Sequence, residues 1–352
     1  MTPEDANGGT GPAAGAAPGP LPGEGRSEPK GPDDPHDPND PRDPFRLPRV
    51  REGGWRLSYP FASRYLERPN GLLHYLDEGK GPTVCLLHGN PTWSFMWREP
   101  IKVLRRHFRA LAPDHMGMGL SSRPAAQLRL KDRIDDIGAF LGETAPTGAI
   151  HLVGHDWGGA IALGWAVRNP ERVASLTLIN TGLRLPKDAK IPGAIKPFLG
   201  DPRLCRLLAT RLGLFSSLLP DRATVRPMAK DAKDGMLAPY RTHLHRDAIA
   251  GFVLDIPVYP EHPSWDTLLS IGRGLKALSG VPALLIWGLR DFIFTRRFLE
   301  DMRGLLPQSR TLALPRSGHW PLEDNPKRII PTLLAFLRRA TTGPGAKAPG
   351  PG

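Results

Sequence analysis

The sequence predicts an α/β fold in which helices cover both faces of a mostly parallel central sheet. Two observations support this fold class. From about residue 70 onwards, short apolar runs alternate with stretches of helical pattern, and such alternation is typical of strands and helices that build a parallel sheet. The chain also has 352 residues, 40% of them hydrophobic, which is sufficient for one large core.

Seven apolar runs are predicted to be the strands of this sheet, because short β-branched and apolar segments are typical of buried parallel strands. In chain order they span residues 71–77, 83–87, 109–113, 150–153, 173–179, 283–287 and 310–314. From about residue 181 to 280 the alternation stops, and a helix-rich segment with many prolines follows. This interruption predicts a helical cap inserted over the carboxyl edge of the sheet.

The two ends of the chain have compositions that disfavour a packed core. The first 50 residues are rich in Gly, Pro and Ala, and Asp-Pro recurs every third residue from Asp34 to Pro44, a pattern that favours extended conformations. The predicted domains are a disordered tail at 1–50, the first part of the core at 51–180, the cap at 181–280, the second part of the core at 281–340, and a disordered tail at 341–352.

Charge limits the classes of partner. The net charge is +12, but the first 50 residues carry five basic and nine acidic side chains, so the rest of the chain carries +16. The arginines of this basic part are scattered and are not interleaved with aromatic residues, as they are in nucleic-acid readers. No nucleic-acid partner is therefore expected. An Arg-rich composition is the preferred explanation of the basic charge, and an acidic or membrane-proximal partner is the alternative.

The sequence also bears on cellular location and cofactors. It begins without a basic, apolar leader, and no run approaches the roughly 18 apolar residues of a membrane span. A cytoplasmic protein with no membrane span is predicted. Cys85 and Cys205 are far apart in the sequence and are predicted to be buried thiols. No cluster of metal ligands is recognised, so neither a metal nor another cofactor is expected.

An ionisable carboxylate follows the strand predicted at residues 150–153. In the run GHDWGG at residues 154–159, glycines precede and follow Asp156, and small neighbours allow a sharp turn from strand to helix. In serine hydrolases a G-x-S-x-G turn presents the nucleophile in this way. Asp156 is therefore the candidate nucleophile. The alternative is an ordinary helix N-cap, for which aspartate is also favoured.

Two further residues complete a triad in the order nucleophile, acid, base. Asp291 lies just past the strand predicted at residues 283–287, and His319 lies further along the chain. This is the chain order of α/β-hydrolases. Asp291 would hold the imidazole of His319 in one tautomer, so that His319 acts as a base. Taken singly, Asp291 is equally explained as a helix cap and His319 as a loop histidine.

A third element precedes these in the chain. The strand predicted at residues 83–87 is followed by HGNPTW, which is typical of a hydrolase oxyanion loop. The backbone N–H groups of Asn90 and Trp157 are expected to point to where negative charge develops. Their side chains, an amide and an indole, can also donate to an anion. The sequence leaves the isomer of the bond before Pro91 open.

An aspartate nucleophile suits displacement at saturated carbon. The carboxylate, ionised at neutral pH, attacks carbon, an alkyl ester forms, and a stable anion leaves towards the donors. The ester then has two fates. It is hydrolysed by water that His319 activates, or it collapses by elimination.

Four motifs, HGNPTWSFMWR, PDHMGMGLSSRP, GHDWGG and WGLRD, resemble those of the haloalkane dehalogenase branch of the α/β-hydrolases, and the resemblance extends from about Arg51 to Arg339. It implies an α/β-hydrolase fold with nucleophile Asp156, base His319, acid Asp291, and leaving-group donors Asn90 and Trp157. Some members of that branch keep the catalytic acid after the preceding strand. Here that position is Asn180, so the acid is expected to be Asp291.

Within this branch the sequence is most similar to the β-lactone decarboxylases of bacterial olefin biosynthesis. The similarity lies in residues 249–268, in DHMGMGLS and in WGLRDFIF. It implies conversion of a cis-3,4-dialkyl-oxetan-2-one to a cis-alkene and carbon dioxide, with a hydrophobic small-molecule substrate. It also implies noncovalent assembly with a β-lactone synthetase and a reductase, because related proteins work with these enzymes.

Three alternatives remain open at the level of sequence. The main one is a haloalkane dehalogenase that hydrolyses an alkyl-enzyme ester. An epoxide hydrolase would need acidic phenols in the cap, where the sequence has only Tyr240 and Tyr259. A non-catalytic binding module is the third alternative, and an intact triad argues against it.

Overall fold

A computed structural model describes residues 53–124, 126–183 and 201–343, together with Leu47 and Val50. Within these ranges eight strands form one sheet in the spatial order β1-β2-β4-β3-β5-β6-β7-β8. β1 and β4 both pair antiparallel with β2, and the other five pairs are parallel. The strands are β1 (Arg64–Arg68), β2 (Gly71–Glu78), β3 (Thr83–Leu87), β4 (Arg109–Pro113), β5 (Ile150–His155), β6 (Val173–Ile179), β7 (Ala283–Gly288) and β8 (Arg310–Leu314).

All seven predicted strands are present, and an eighth, β1, was not predicted from the sequence. Its five residues, RYLER, include three charged side chains, and it lies at the sheet edge with a burial pattern that is partly or fully exposed throughout. β3, β5, β6 and β7 lie inside the sheet and are almost entirely buried. Continuous apolar runs in a sequence therefore identify buried inner strands, but they do not identify a short, exposed edge strand such as β1.

The helices of the described ranges form separate groups around the sheet. α2 packs on α3 and α3 on α8, with α3 against β5, whereas α1 packs on α11, which contacts β6. In chain order the helices are α1 (Arg98–Leu104), α2 (Leu130–Thr144), α3 (Trp157–Arg168), α4 (Pro202–Arg206), α5 (Leu214–Ala223), α6 (Lys230–Leu237), α7 (Asp247–Leu254), α8 (Trp265–Gly274), α9 (Arg296–Leu305), α10 (Pro321–Asp324) and α11 (Pro326–Thr342).

The predicted cap region contributes α4 to α8 and no described strand. Of the predicted domains, residues 184–200 of the cap, nearly all of the tail at 1–50 and most of the tail at 341–352 lie outside the described residues. Cys85 and Cys205 are both free and buried, as predicted. None of the described helices is long and apolar enough to cross a membrane.

The parallel strands place the predicted site residues at one edge of the sheet. The carboxyl ends of β3, β5, β6 and β7 are followed by Asn90, Asp156, Asn180 and Asp291, and β8 is followed by His319. Loops at the carboxyl ends of parallel strands meet at the same edge, where open α/β sheets bind ligands. The topology therefore positions residues that are far apart in the sequence around one place.

Candidate active site

Asp156 occupies a strained turn between β5 and α3. Its φ is 52° and its ψ is −124°, a conformation that non-glycine residues rarely adopt and that is concentrated at functional sites. Its backbone is held in place because its N–H donates to the carbonyl of Asn180 (3.2 Å) and its carbonyl accepts from the hydroxyl of Thr181 (2.6 Å). At Gly154 a Cβ would lie only 2.5 Å from the carbonyl oxygen of Gly158, so this position requires glycine.

The carboxylate of Asp156 is buried and points to the loop after β3. Its Oδ1 accepts a hydrogen bond from the backbone N–H of Asn90 at 2.8 Å, and its Oδ2 lies 3.9 Å from Nε2 of His319. Burial raises the pKa of Asp156 above the usual aspartate value, although the charge of His319 and the N–H groups of Asn90 and Trp157 oppose this rise. Oδ2 is thus the carboxylate oxygen that faces His319.

His319 is fully buried between two carboxylates. Its Nδ1 lies 2.9 Å from Oδ2 of Asp291, and its Nε2 has no hydrogen-bond partner among the described residues. Burial by itself lowers the pKa of His319, but the charge of Asp291, its hydrogen bond and the charge of Asp156 together raise the pKa above the usual value. The hydrogen bond to Asp291 requires a proton on Nδ1, which leaves Nε2 of the neutral ring free to accept a proton.

Asn180 holds Asp291 in place, a role that the sequence did not indicate. Its Nδ2 donates to Oδ2 of Asp291 at 2.8 Å, and its Oδ1 accepts from the backbone N–H of Gly288 at 2.9 Å. The sequence identified Asn180 only as the position where other proteins carry the acid. Its place at the end of β6, next to β7, was the available signal.

Two aromatic rings flank His319, and sequence reasoning missed both. The ring of Phe294 stacks on the imidazole, with centroids 5.8 Å apart and an interplanar angle of 22°. The ring of His155 is tilted by 48° relative to that of His319, and the two centroids are 4.8 Å apart. Nε2 of His155 is also 2.8 Å from the backbone carbonyl of His319. Burial lowers the pKa of His155 well below its usual value, so a neutral ring donates to this carbonyl. The position of His155 directly before Asp156 was the only sequence signal.

The two predicted donors lie beside Asp156, and one of them already has a partner. The side chain of Asn90 donates to the backbone carbonyl of Ile249 in α7 at 3.2 Å, and its Oδ1 is buried without a partner. An amide carries two N–H protons, so one remains for an incoming anion. The indole of Trp157 packs against Phe252 of α7 at 5.7 Å. The Asn90–Pro91 bond, which the sequence left open, is cis.

The two tyrosines of the cap region, Tyr240 and Tyr259, differ in their burial and in their contacts. The hydroxyl of Tyr240 donates to the carbonyl of Thr92 at 2.9 Å and accepts from the N–H of Gly119 at 3.0 Å. Burial raises the pKa of Tyr240 further above its usual value. Tyr259 is 49% exposed, and its ring lies against His262. The hydroxyl of Tyr240 thus already has both a donor and an acceptor, and Tyr259 is exposed to solvent.

The fold and the site together define a class of protein. A carboxylate at a strained strand-to-helix turn faces a histidine, and a second carboxylate holds that histidine, in the chain order of α/β-hydrolases. The chain belongs to the α/β hydrolase fold family, whose sequence model matches residues 82–326.

Relatives of known name narrow this class. The cis-3-alkyl-4-alkyloxetan-2-one decarboxylase of Shewanella oneidensis is 35% identical over 80% of this chain and 90% of its own length. The protein of the same name from Xanthomonas campestris is 35% identical over 80% of this chain and 98% of its own length. Haloalkane dehalogenase 2 of Mycobacterium tuberculosis is 32% identical over 78% of this chain and 95% of its own length.

Solved structures agree with this family assignment. The crystal structure of a putative ancestral haloalkane dehalogenase matches with a TM-score of 0.72 and 26% identity, over 80% of this chain and all of that chain. The haloalkane dehalogenase DatA of Agrobacterium tumefaciens matches with a TM-score of 0.70 and 25% identity, over 79% of this chain and 96% of that chain. The α/β-hydrolase fold expected from the sequence is thus confirmed.

Proposed function

We propose that this protein is a β-lactone decarboxylase that converts cis-3,4-dialkyl-oxetan-2-ones to cis-alkenes and carbon dioxide, with Asp156 as nucleophile. The observation that carries the proposal is the similarity to two decarboxylases over 80% of the chain. The site supports it, because the carboxylate of Asp156 and the imidazole of His319 face each other across 3.9 Å.

In the first step a carboxylate oxygen of Asp156 attacks the ring carbon that carries the ring oxygen. The C–O bond of the lactone breaks, and its electron pair leaves with the new carboxylate group. An ester now links Asp156 to the former ring carbon. The second amide proton of Asn90 and the indole N–H of Trp157 are proposed to stabilise the expelled carboxylate, as they would stabilise a halide.

In the second step the ester collapses by elimination. The bond to the carboxylate breaks and releases carbon dioxide, its electron pair forms the double bond, and the bond to Asp156 breaks to restore the aspartate. Backside attack places the new ester bond anti to the carboxylate, so this elimination retains the cis arrangement of the alkyl chains. Neither step transfers a proton. A protonated His319 would stabilise the aspartate as it departs.

The substrate class also implies surroundings and partners. Two long alkyl chains need an apolar channel between the sheet and the helices of the cap region. We propose noncovalent assembly with a β-lactone synthetase and a reductase in the cytoplasm, because the substrate is poorly soluble and the basic part of the chain, at +16, favours an acidic partner.

Haloalkane dehalogenation is the second candidate, and a specific observation favours it. A haloalkane dehalogenase is 32% identical over 78% of this chain. In that reaction the halide leaves towards Asn90 and Trp157, and His319 activates the water that hydrolyses the ester. The two reactions share the first step and differ in whether the ester is hydrolysed or collapses.

The deciding experiment supplies the purified protein with a long-chain cis-β-lactone and analyses the products by gas chromatography and mass spectrometry. We expect the cis-alkene with the wild type and with Asp135→Ala, an exposed aspartate on α2 that pairs with Lys131 and Arg168. We expect no alkene with Asp156→Ala. A β-hydroxy acid or unchanged lactone would contradict the proposal. Bromide release from 1,2-dibromoethane would then favour dehalogenation.

A further inference from the structure

A pocket lies next to α7, the helix that also contacts Asn90 and Trp157. Its volume is about 180 Å³. Ala248 and Gly251 of α7 line it, together with the loop that leads into α2. Its polar lining consists of Arg123, Gln127, Arg133, Arg206 and Asp247. Three guanidinium groups and one carboxylate thus face a cavity that is large enough for a small polyatomic ion.

Arg133 is a buried cation without a close counter-ion. It is 3% exposed, and none of the described carboxylates lies within 4 Å of its guanidinium group. It donates one long hydrogen bond, from Nη1 to the carbonyl of Met116 at 3.4 Å, and its buried Nε has no partner within the part of the chain that the structure describes. The ring of Phe252 lies 3.5 Å from the guanidinium carbon. Cation–π contact offsets only part of the cost of burying a charge.

Arg133 remains charged at neutral pH. Burial lowers the pKa of Arg133 to about 10, and the carboxylates of Asp255, Asp136 and Asp132 oppose this change from a distance. Asp255 is itself bound to the hydroxyl of Ser264 at 2.7 Å and to Arg129 at 3.2 Å. These acids therefore reduce the positive potential around Arg133 without making direct contact with it.

A second buried donor lines the same cavity. Nε2 of Gln127 is buried without a partner, while its Oε1 accepts from Nη2 of Arg206 at 3.0 Å. Arg206 also pairs with Asp247, the only carboxylate in the lining. The acid in the pocket is therefore already neutralised, whereas donors from Arg133 and Gln127 lack acceptors. Buried polar groups without partners are rare and indicate a missing ligand or water.

The chain contains a second arginine pocket for comparison. Its volume is about 380 Å³, and Arg226, Arg316 and Arg328 line it. All three are exposed to solvent, so water satisfies their donors. The acid of this pocket, Asp324, accepts from the backbone N–H groups of Val225 and Gly318. Solvent-exposed charges of this kind bind ions weakly.

We propose that the pocket beside α7 binds a small oxyanion, a phosphate or carboxylate group, with Arg133 and Gln127 as its buried donors. A guanidinium group matches the spacing of two oxygens on such a group, and the bonds are charge-assisted. Chloride, which has no pair of oxygens, would gain little from this geometry. The ring of Phe252 contacts both Arg133 and Trp157, so the bound oxyanion would be linked to the candidate active site through one side chain.

The test is isothermal titration calorimetry of the full chain with inorganic phosphate, acetate and chloride at matched ionic strength. We expect one equivalent of phosphate or acetate to bind at a site that Arg133→Met removes. Chloride, which the proposed donors Asn90 and Trp157 of the candidate active site can hold, should bind equally to the wild type and to Arg133→Met. Preference for phosphate indicates a phosphoryl group as the natural ligand, and preference for acetate indicates a carboxylate. Binding of phosphate and acetate that is unchanged in a folded Arg133→Met, or equal dependence of all three anions on Arg133, would overturn the proposal.

Variants locate the site. Arg133→Met should abolish binding of the oxyanion, and Gln127→Leu should weaken it about tenfold, the effect of losing one buried donor of about 1.4 kcal/mol. Arg316→Gln, in the exposed pocket, should bind like the wild type. If Arg133→Met fails to fold, Gln127→Leu decides alone. Wild-type affinity in Gln127→Leu or loss of binding in Arg316→Gln would contradict the assignment.

Discussion

At the residue scale, Asn180 connects the end of β6 to Gly288 of β7 and to Asp291, the proposed acid of the site. Replacing it with leucine removes a donor from Asp291 and leaves the N–H of Gly288 without its acceptor. We expect a loss of about 1–3 kcal/mol in the free energy of unfolding, and a fall in kcat of at least tenfold because His319 is less well oriented. Denaturant titration and steady-state kinetics measure the two effects.

Asn169→Leu is the matched control for this substitution. Asn169 also donates through Nδ2 to a carbonyl, that of Trp165 at 2.9 Å, but at the far end of α3. We expect the control to change stability by a similar or smaller amount and to leave kcat unchanged. A kcat for Asn180→Leu equal to that of the control would show that Asn180 does not position Asp291.

The charge state of His319 separates the two candidate reactions. Its pKa is raised, so it stays protonated to a higher pH than an ordinary histidine. Hydrolysis of an ester needs the neutral ring, so bromide turnover should fall as the pH drops through this raised pKa. Decarboxylation transfers no proton, so alkene formation should persist at that pH and be lost only when Asp156, whose own pKa is raised, becomes protonated.

The measurement is kcat against pH for the β-lactone and for 1,2-dibromoethane with the same enzyme. Alkene formation that declines together with bromide release, at the pH where His319 is protonated, would rule out the mechanism without proton transfer. Alkene formation that stays constant or rises as the pH drops through the pKa of His319 is the expected outcome.

The residues that a sequence can reveal are those with a fixed local pattern. Asp156 stands in a glycine-rich turn, and Asp291 and His319 follow in a known chain order, so all three were predicted from the sequence. In the structure His319 faces both carboxylates. Asn180 and Phe294 act through contacts between segments that are distant in the sequence. No local pattern encodes such contacts, so these residues became visible only when the strands were placed side by side.

At the element scale, a buried ion pair connects α1 to α10, the helix that begins just after His319. Nη1 and Nη2 of Arg98 donate to the two carboxylate oxygens of Glu323, at 2.7 and 2.8 Å. The side chain of Arg98 is 7% exposed and that of Glu323 is 12% exposed. The guanidinium also lies over the ring of Phe95 at 4.3 Å. The pair thus fixes the segment that carries His319.

Arg98→Ala should therefore destabilise the protein by about 3–5 kcal/mol, because it leaves the carboxylate of Glu323 buried and unpaired. Lys230→Ala is the control, since Lys230 and Asp234 form a pair on α6 in which the lysine is 87% exposed. We expect no measurable change in stability there, because exposed ion pairs contribute little. Urea denaturation of both variants measures the difference, and equal effects would show that burial does not strengthen the Arg98 pair.

At the scale of the whole molecule, the helical region between β6 and β7 is bound to the loop after β3. Tyr240 connects Thr92 to Gly119, and the indole of Trp93 donates to the carbonyl of Gly235 at 3.0 Å. These contacts join the cap region to the same loop that supplies Asn90. The fold class was predictable from the strands alone, but this junction was not, because it depends on how the inserted helices lie over the sheet.

Tyr240→Phe tests whether this junction is structural or chemical. The substitution removes one hydroxyl that serves as both donor and acceptor, so the carbonyl of Thr92 and the N–H of Gly119 lose a buried partner. We expect the free energy of unfolding to fall by about 1–3 kcal/mol. Unfolding should remain one cooperative transition, because the sheet and the cap region share the contact. Alkene formation should fall less than tenfold. Tyr259→Phe, an exposed phenol, should change neither. Complete loss of alkene formation in Tyr240→Phe with unchanged stability would instead show that this phenol takes part in the chemistry.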